Sequence, residues 1–280
     1  FLSACYNVER IELPNSFESI GDCFLDNCYD YNCDLIIPNS VRKIGNYFMI
    51  NCRSFNGHLS LSESLQSIGN GFMAGCYDFN NSLFFSESLE SIGEAFIANC
   101  SNYNHDLLLE HTKITSIPNN FLTHCANFDS NFTLPKLAKS IGDSFMYECK
   151  SFNTHFDFPQ WLESIGEDFM AYSVAFDQDI VIPASMKFIG KGFMYAYKGW
   201  HRDKFINNSS VTHVDLVSYE QYIDQIVIIG TAIIVLAITI LVCFVYVEVP
   251  PAYKGLCPVK CLQYTILSGG SPFLYGTVYG

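Results

Sequence analysis

A phrase returns about every 24 residues through most of this chain, most plainly as Ser67-Ile68-Gly69-Asn70-Gly71-Phe72-Met73-Ala74-Gly75-Cys76. Its isoleucine falls at Ile20, Ile44, Ile68, Ile92, Ile117, Ile141, Ile165 and Ile189, so every step is 24 residues except one of 25. A unit this short cannot bury its own apolar face. Each of the eight copies must therefore lean on its neighbours, and the core becomes one continuous column.

Three apolar signals recur inside each copy. The first is an alternating pair, as in Leu35/Ile37, Leu59/Leu61, Leu83/Phe85, Phe132/Leu134, Phe156/Phe158 and Ile180/Ile182, and period two means a strand. Pro14, Pro38, Pro135, Pro159 and Pro183 follow such pairs and keep the strands very short, because proline cannot donate to a ladder. The second is Ile-Gly, preceded at three residues by Leu or Val, where the glycine is expected to turn the chain with positive φ; Pro118 replaces it once. The third is Phe and Cys four apart, as at Phe72/Cys76, which is the spacing of a single helical turn with both side chains facing inward. The expected fold is a solenoid with one short strand and one helical or 3-10 turn per copy.

The chain holds 12 cysteines, and six of them sit at one repeat position, giving way to Ser173 and Tyr197 in the last two copies. Buried free thiols acting as small hydrophobes are expected there, with rung-to-rung disulfides as the alternative. Cys23 and Cys33 fall off this ladder and either pair locally or stay free. No Cys-x2-Cys or His-x3-His spacing occurs, so neither zinc nor any cofactor is expected, and His58 and His155 read as solvated surface residues.

The run Leu35-Ile36-Ile37-Pro38-Asn39-Ser40-Val41-Arg42-Lys43-Ile44-Gly45-Asn46-Tyr47-Phe48-Met49-Ile50-Asn51-Cys52 resembles the BspA-type (Treponema-like) leucine-rich repeat, and the likeness covers residues 1 to about 206. Phe55-Asn56, Phe79-Asn80, Tyr103-Asn104 and Phe152-Asn153 depart from it, since the family usually shows Leu at the aromatic position. The resemblance implies a curved solenoid with its strands on the concave face, used in surface proteins of bacteria and some parasitic protists for adhesion or host-protein binding. It supplies no catalytic residues.

Residues 226–247 form 22 positions without a charge, about 33 Å as a helix and long enough to cross a bilayer. A transmembrane helix is therefore expected over 225–247, contacting lipid, after a polar stalk over 207–224. Asp215, Glu220 and Asp224 precede it, whereas Lys254 and Lys260 follow against one Glu248, so the repeats are expected outside and the tail in the cytosol. Of 15 basic and 28 acidic residues, 13 and 27 precede the segment, leaving that part at net −14 and arguing against nucleic acid as a partner.

The copy at Phe1-Leu2-Ser3-Ala4-Cys5 begins in mid-phrase, which reads as a fragment of a longer chain. Sequons stand at Asn80, Asn99, Asn131, Asn207 and Asn208, and matter only in a eukaryotic secretory pathway. The tail, 248–280, carries Tyr253-Lys254-Gly255-Leu256, Tyr264-Thr265-Ile266-Leu267 and Tyr275-Gly276-Thr277-Val278, which resemble sorting strings, and Cys243, Cys257 and Cys261 are acylation candidates.

Function is expected on the outward row of the strand face, at Glu12, Ile36, Ser60, Phe84, Leu108, Thr133, Asp157 and Val181. There Ile36, Phe84 and Leu108 make an apolar cluster rimmed by Asp34, His58 and Asp106, a place for an extracellular or host protein. The alternative is that short strands expose β-formers for propensity alone. The copy at Leu109-Glu110-His111-Thr112-Lys113-Ile114 carries the extra residue, which is either a bulge beside this patch or ordinary drift. No phosphate loop, nucleophile elbow or metal cluster is present, so no catalysis is expected. A surface coat without a specific ligand, and a receptor acting through its tail, are the other readings.

Overall fold

The computed structural model describes residues 2–197 and 202–218, together with positions 221, 224, 226–229, 231–234 and 236–237. The chain divides into two units, Phe1–Gln225 and Ile226–Gly280. The first is a β-solenoid in which each copy forms one coil, paired in parallel with the coils before and after it.

Two strand ladders run along it. On one side Leu35–Ile36 pairs with Leu59–Ser60, Leu107–Leu108 with Phe132–Thr133, and Ile180–Ile182 with Phe205–Asn207. On the second side the phrase isoleucine itself is in a strand. Ser19–Ile20, Lys43–Ile44 and Ser67–Ile68 form one sheet, and Ser116–Ile117, Ser140–Ile141, Ser164–Ile165 and Phe188–Ile189 another.

The sequence places a turn after this isoleucine and so misses the second ladder. Gly21, Gly45, Gly69, Gly93, Gly142, Gly166 and Gly190 are absent from the residues with positive φ. Except at Gly21, where an added Cβ meets nothing within 4 Å, their requirement is close approach instead. A Cβ on Gly93 would lie 2.3 Å from Asn70 N, and one on Gly190 2.4 Å from Gly166 C, so the coils touch backbone to backbone.

Positive φ occurs elsewhere, one residue before each inward Phe and one before each inward Cys. Tyr47 and Asn51 stand at φ 57° and 58°, and Asn120 and His124 at 57° and 61°. These kinks replace the helical turn expected from the Phe/Cys spacing; among the described residues the 3-10 helix is at Arg202–Lys204. Each arc is held to the next coil by backbone bonds, as in Cys23 N to Asn46 O and Leu25 N to Phe48 O, both 2.8 Å. Because the arc is kinked and not helical, a third side chain also turns inward. Leu25, Met49, Met73, Ile97, Leu122 and Met146 are all fully buried beside the Phe.

Aromatic rings stack along the interior in two columns. Phe24, Phe48, Phe72, Phe96, Phe121, Phe145, Phe169 and Phe193 repeat at 5.1 to 5.6 Å between centroids. Tyr31, Phe55, Phe79, Tyr103, Phe128, Phe152 and Phe176 repeat at 5.6 to 5.8 Å. Each offset pair adds about 0.5–1.5 kcal/mol beyond burial of its area.

Asparagine columns accompany them. The Asn32 side chain accepts the Asn56 N–H at 2.7 Å, and the same bond passes through Asn80, Asn104, Asp129 and Asn153 to Asp177. Lys204 ends this column, its Nζ lying 2.7 Å from both the carbonyl and the carboxylate of Asp177. Asp22, Asn46 and Asn70 form a similar column on another edge.

Pairing continues past residue 206. Phe205–Asn207 and Leu216–Ser218 join the last coils, the latter against Met194–Tyr197, so the segment expected to be a stalk contributes a rung. In the second unit, positions 226–229, 231–234 and 236–237 are helical. Among the described residues no helix is long and apolar enough to cross a membrane. Much of the expected spanning segment and the whole 248–280 tail lie outside the described residues.

Candidate interaction surface

The outward row of the first ladder points to solvent where the period-two pattern places it. Phe84 is 74% exposed, Ile36 60%, Val181 40% and Leu108 38%. Phe84 and Leu108 belong to successive coils. Ile36 pairs with Ser60, so a serine coil separates it from Phe84.

A strand pair to the following coil forms where the residue before the strand is an aspartate. Asp34 accepts the His58 N–H at 2.8 Å, and Asp106 accepts the Asn131 N–H at 3.1 Å. Both aspartates precede strands that pair with the following coil, and Asp179 precedes a third. Where the position holds Arg10, His58, Ser82, Asn131 or His155, no strand pair to the next coil forms. At Asp34 and Asp106 the carboxylate accepts the neighbouring backbone N–H at the strand entrance, a charge-assisted bond that favours this register. Asp34 and Asp106, expected as a charged rim, are thus hydrogen-bond acceptors within the scaffold.

The coil of Leu83, Phe84 and Phe85 consequently has no strand pair on either flank of this side, although the Ser67 and Ser91 bridge holds it on the second side. A recess of about 330 Å³ opens there, lined by His58, Ser60, Leu61, Glu63, Phe84 and Ser86. His58 and Phe84 are therefore brought together at one opening, while Ile36 stands apart from it.

Six copies of the family described as BspA type Leucine rich repeat region match residues 1–128 and 115–234. The chain belongs to the BspA-type leucine-rich repeat family. Leucine-rich repeat chains generally serve protein–protein interaction, and their solenoid is typically non-enzymatic. A leucine-rich repeat protein from Bacteroides ovatus with a known crystal structure is 21% identical over 74% of this chain, with a TM-score of 0.46. The match spans 65% of that protein, less than two thirds of its length. No curated protein matches.

Two departures of this BspA-type chain from the family pattern have visible structural roles. The Phe-Asn pair supplies the second aromatic column and the asparagine column beside it. The extra residue near Leu109 is absorbed by Thr112, whose N–H and hydroxyl both reach Leu109 O, at 3.0 and 2.8 Å. His111 Nε2 then binds Phe85 O at 2.6 Å, clamping the coil that lacks strand pairs. Glu110 accepts the Thr133 hydroxyl, which holds its carboxyl below the usual range.

The nine described cysteines form no disulfide, so the local pairing weighed for Cys23 and Cys33 is not made. His155 Nε2 lies 3.3 Å from Asp157 Oδ1 on the exposed surface. Sequence reasoning missed Trp161, Phe188 and Leu137, which are 60%, 56% and 51% exposed on other sides of the coils. Their signal was a bulky apolar residue where most copies carry Ser or Lys.

Proposed function

We propose that this BspA-type chain is a membrane-anchored surface protein whose solenoid binds an extracellular or host protein through the face of Ile36, Phe84 and Leu108. The observation that carries this reading is Phe84, a large apolar side chain 74% exposed on a coil without strand pairs, beside Leu108 and over a recess. A solvent-exposed phenylalanine adds nothing to the core, and central aromatic anchors dominate protein interfaces. Anchoring rests on the uncharged run over 226–247 and on the helical positions within it. The acidic balance of the part before that run favours partners with basic or neutral surfaces.

The test is capture of surface and matrix proteins by intact cells expressing the chain, with Phe84→Asp/Leu108→Asp as the comparison. A captured protein that is lost in the double variant, with unchanged circular dichroism, supports the reading. Unchanged capture rejects this face. Shaving the same cells with protease must also remove a tag in the repeats and spare one after residue 247; the reverse pattern defeats the surface assignment.

A further inference from the structure

A second recess, of about 310 Å³, lies over the cysteine column, away from the strand face. It is bordered by two rows of side chains, one from each side of that column. Tyr77, Ser101, Ala126 and Lys150 follow the ladder cysteines, and Asn99, His124 and Glu148 precede them. Tyr77 to Lys150 is three coil steps, about 14 Å at the spacing of parallel strands. The small side chains of Ser101 and Ala126 leave a trough between the two bulky ends.

Arg53 shows what this row accommodates. Its guanidinium lies 4.9 Å from the Tyr29 ring centroid and 5.7 Å from that of Tyr77, so it stacks between rings along the rod. One face of Tyr77 is thereby covered, and the ring lines the trough together with Ser101. Tyr77 remains 40% exposed. Along the wall, the Asn99 carboxamide and the Ser101 hydroxyl make no hydrogen bond to another described residue. Glu148 is held by Lys150 at 3.1 Å and faces His124 at 3.6 Å, so its charge is offset locally.

We propose that this trough binds a saccharide of one or two pyranose units. The exposed ring of Tyr77 suits the apolar C–H face of a sugar ring. Asn99, Ser101, His124 and Glu148 supply donors and acceptors for its hydroxyls. The lining is too polar for a purely apolar ligand and lacks the unopposed charge that a phosphate or polycation needs. The volume stands at the lower end of the about 300–1,000 Å³ usual for small-molecule sites, and the floor is pre-formed by the ladder backbone.

Saturation-transfer NMR on the full chain with lactose, maltose, cellobiose and N,N′-diacetylchitobiose as separate probes tests this. Ring protons of at least one sugar should receive saturation, and the effect should vanish in Tyr77→Ala. It should vanish equally in Ser101→Tyr, which fills the trough with a side chain the same row already carries at Tyr29 and Tyr77. Trp161→Ala, an exposed aromatic elsewhere, should leave it intact. No transfer to any of the four sugars, or transfer that survives Ser101→Tyr, overturns the proposal; if Tyr77→Ala alters the circular dichroism, Ser101→Tyr decides.

Discussion

Cys149 and Ser173 hold the same place in successive coils and make the same bond, thiol to Leu122 O at 3.1 Å and hydroxyl to Met146 O at 2.8 Å. Cys52, Cys76, Cys100 and Cys125 do likewise, reaching Leu25, Met49, Met73 and Ile97 carbonyls at 3.0 to 3.2 Å. The thiol here is a second proton donor to a carbonyl that also accepts a backbone N–H, as Met73 O does from Cys76 at 3.1 Å, as well as a small hydrophobe.

A serine should therefore replace one of these cysteines better than an alanine does. Cys100→Ala removes one of the two bonds that the Met73 carbonyl accepts, the other coming from the Cys76 N–H at 3.1 Å, and should cost about 0.5–1.5 kcal/mol, whereas Cys100→Ser should cost distinctly less. Urea unfolding of the two variants measures the difference, and an alanine variant as stable as wild type would refute the donor role.

Alkali should unfold the rod through the same column. Burial pushes the Cys100 thiol from 9.0 up to about 12, and raises Cys76, Cys125 and Cys149 as well. Below the ordinary thiol value both folded and unfolded chains are protonated, and this contribution to stability is fully present. As pH climbs from 9.0 towards about 12 only the unfolded chain ionises, so stability falls. Urea midpoints across that window should decline, and less steeply in Cys100→Ser. Iodoacetamide at neutral pH should spare the column until the chain unfolds.

Gly93→Ala and Gly21→Ala should differ sharply despite sharing one repeat position. A methyl on Gly93 meets Asn70 N at 2.3 Å, whereas nothing lies within 4 Å of one on Gly21. Overpacking that backbone contact should cost about 1–3 kcal/mol or more, read as a lowered melting temperature. Gly21→Ala should be neutral or slightly stabilising.

Asp34→Ala should unpair Leu35–Ile36 from Leu59–Ser60, because it removes the acceptor for the His58 N–H. A charge-assisted bond of this kind contributes about 1.5–3 kcal/mol, less where it is exposed to solvent as here. Hydrogen exchange at Leu35 and Ile37 amides should quicken while that at Leu107 stays slow; unchanged exchange would show that the register is set elsewhere.

Period and phase were legible in the sequence: the ladder isoleucines and inward phenylalanines fall where the repeat count puts them, although the alternating pairs Leu83/Phe85 and Phe156/Phe158, read as strands, form none. The backbone path between them was not. Four-residue spacing of Phe72 and Cys76 fits a helical turn equally well as two left-handed kinks, and only the kinks also bury Met73. The glycine after isoleucine signals positive φ and tight approach alike, and Gly93 turns out to need the second. On the strand face, Phe84 was legible from alternation. The part played by Asp34 was not, since its partner is a backbone N–H in the next coil that no residue pattern advertises.

Lys204 gives one edge of the rod a stopper. A column in which every coil offers the next an acceptor has no inherent last member, and another chain could in principle dock by the same bond and lengthen it into a fibre. By spending its ammonium group on the carbonyl and Oδ1 of Asp177, Lys204 occupies the side-chain oxygen that each earlier coil of the column offers to the next N–H.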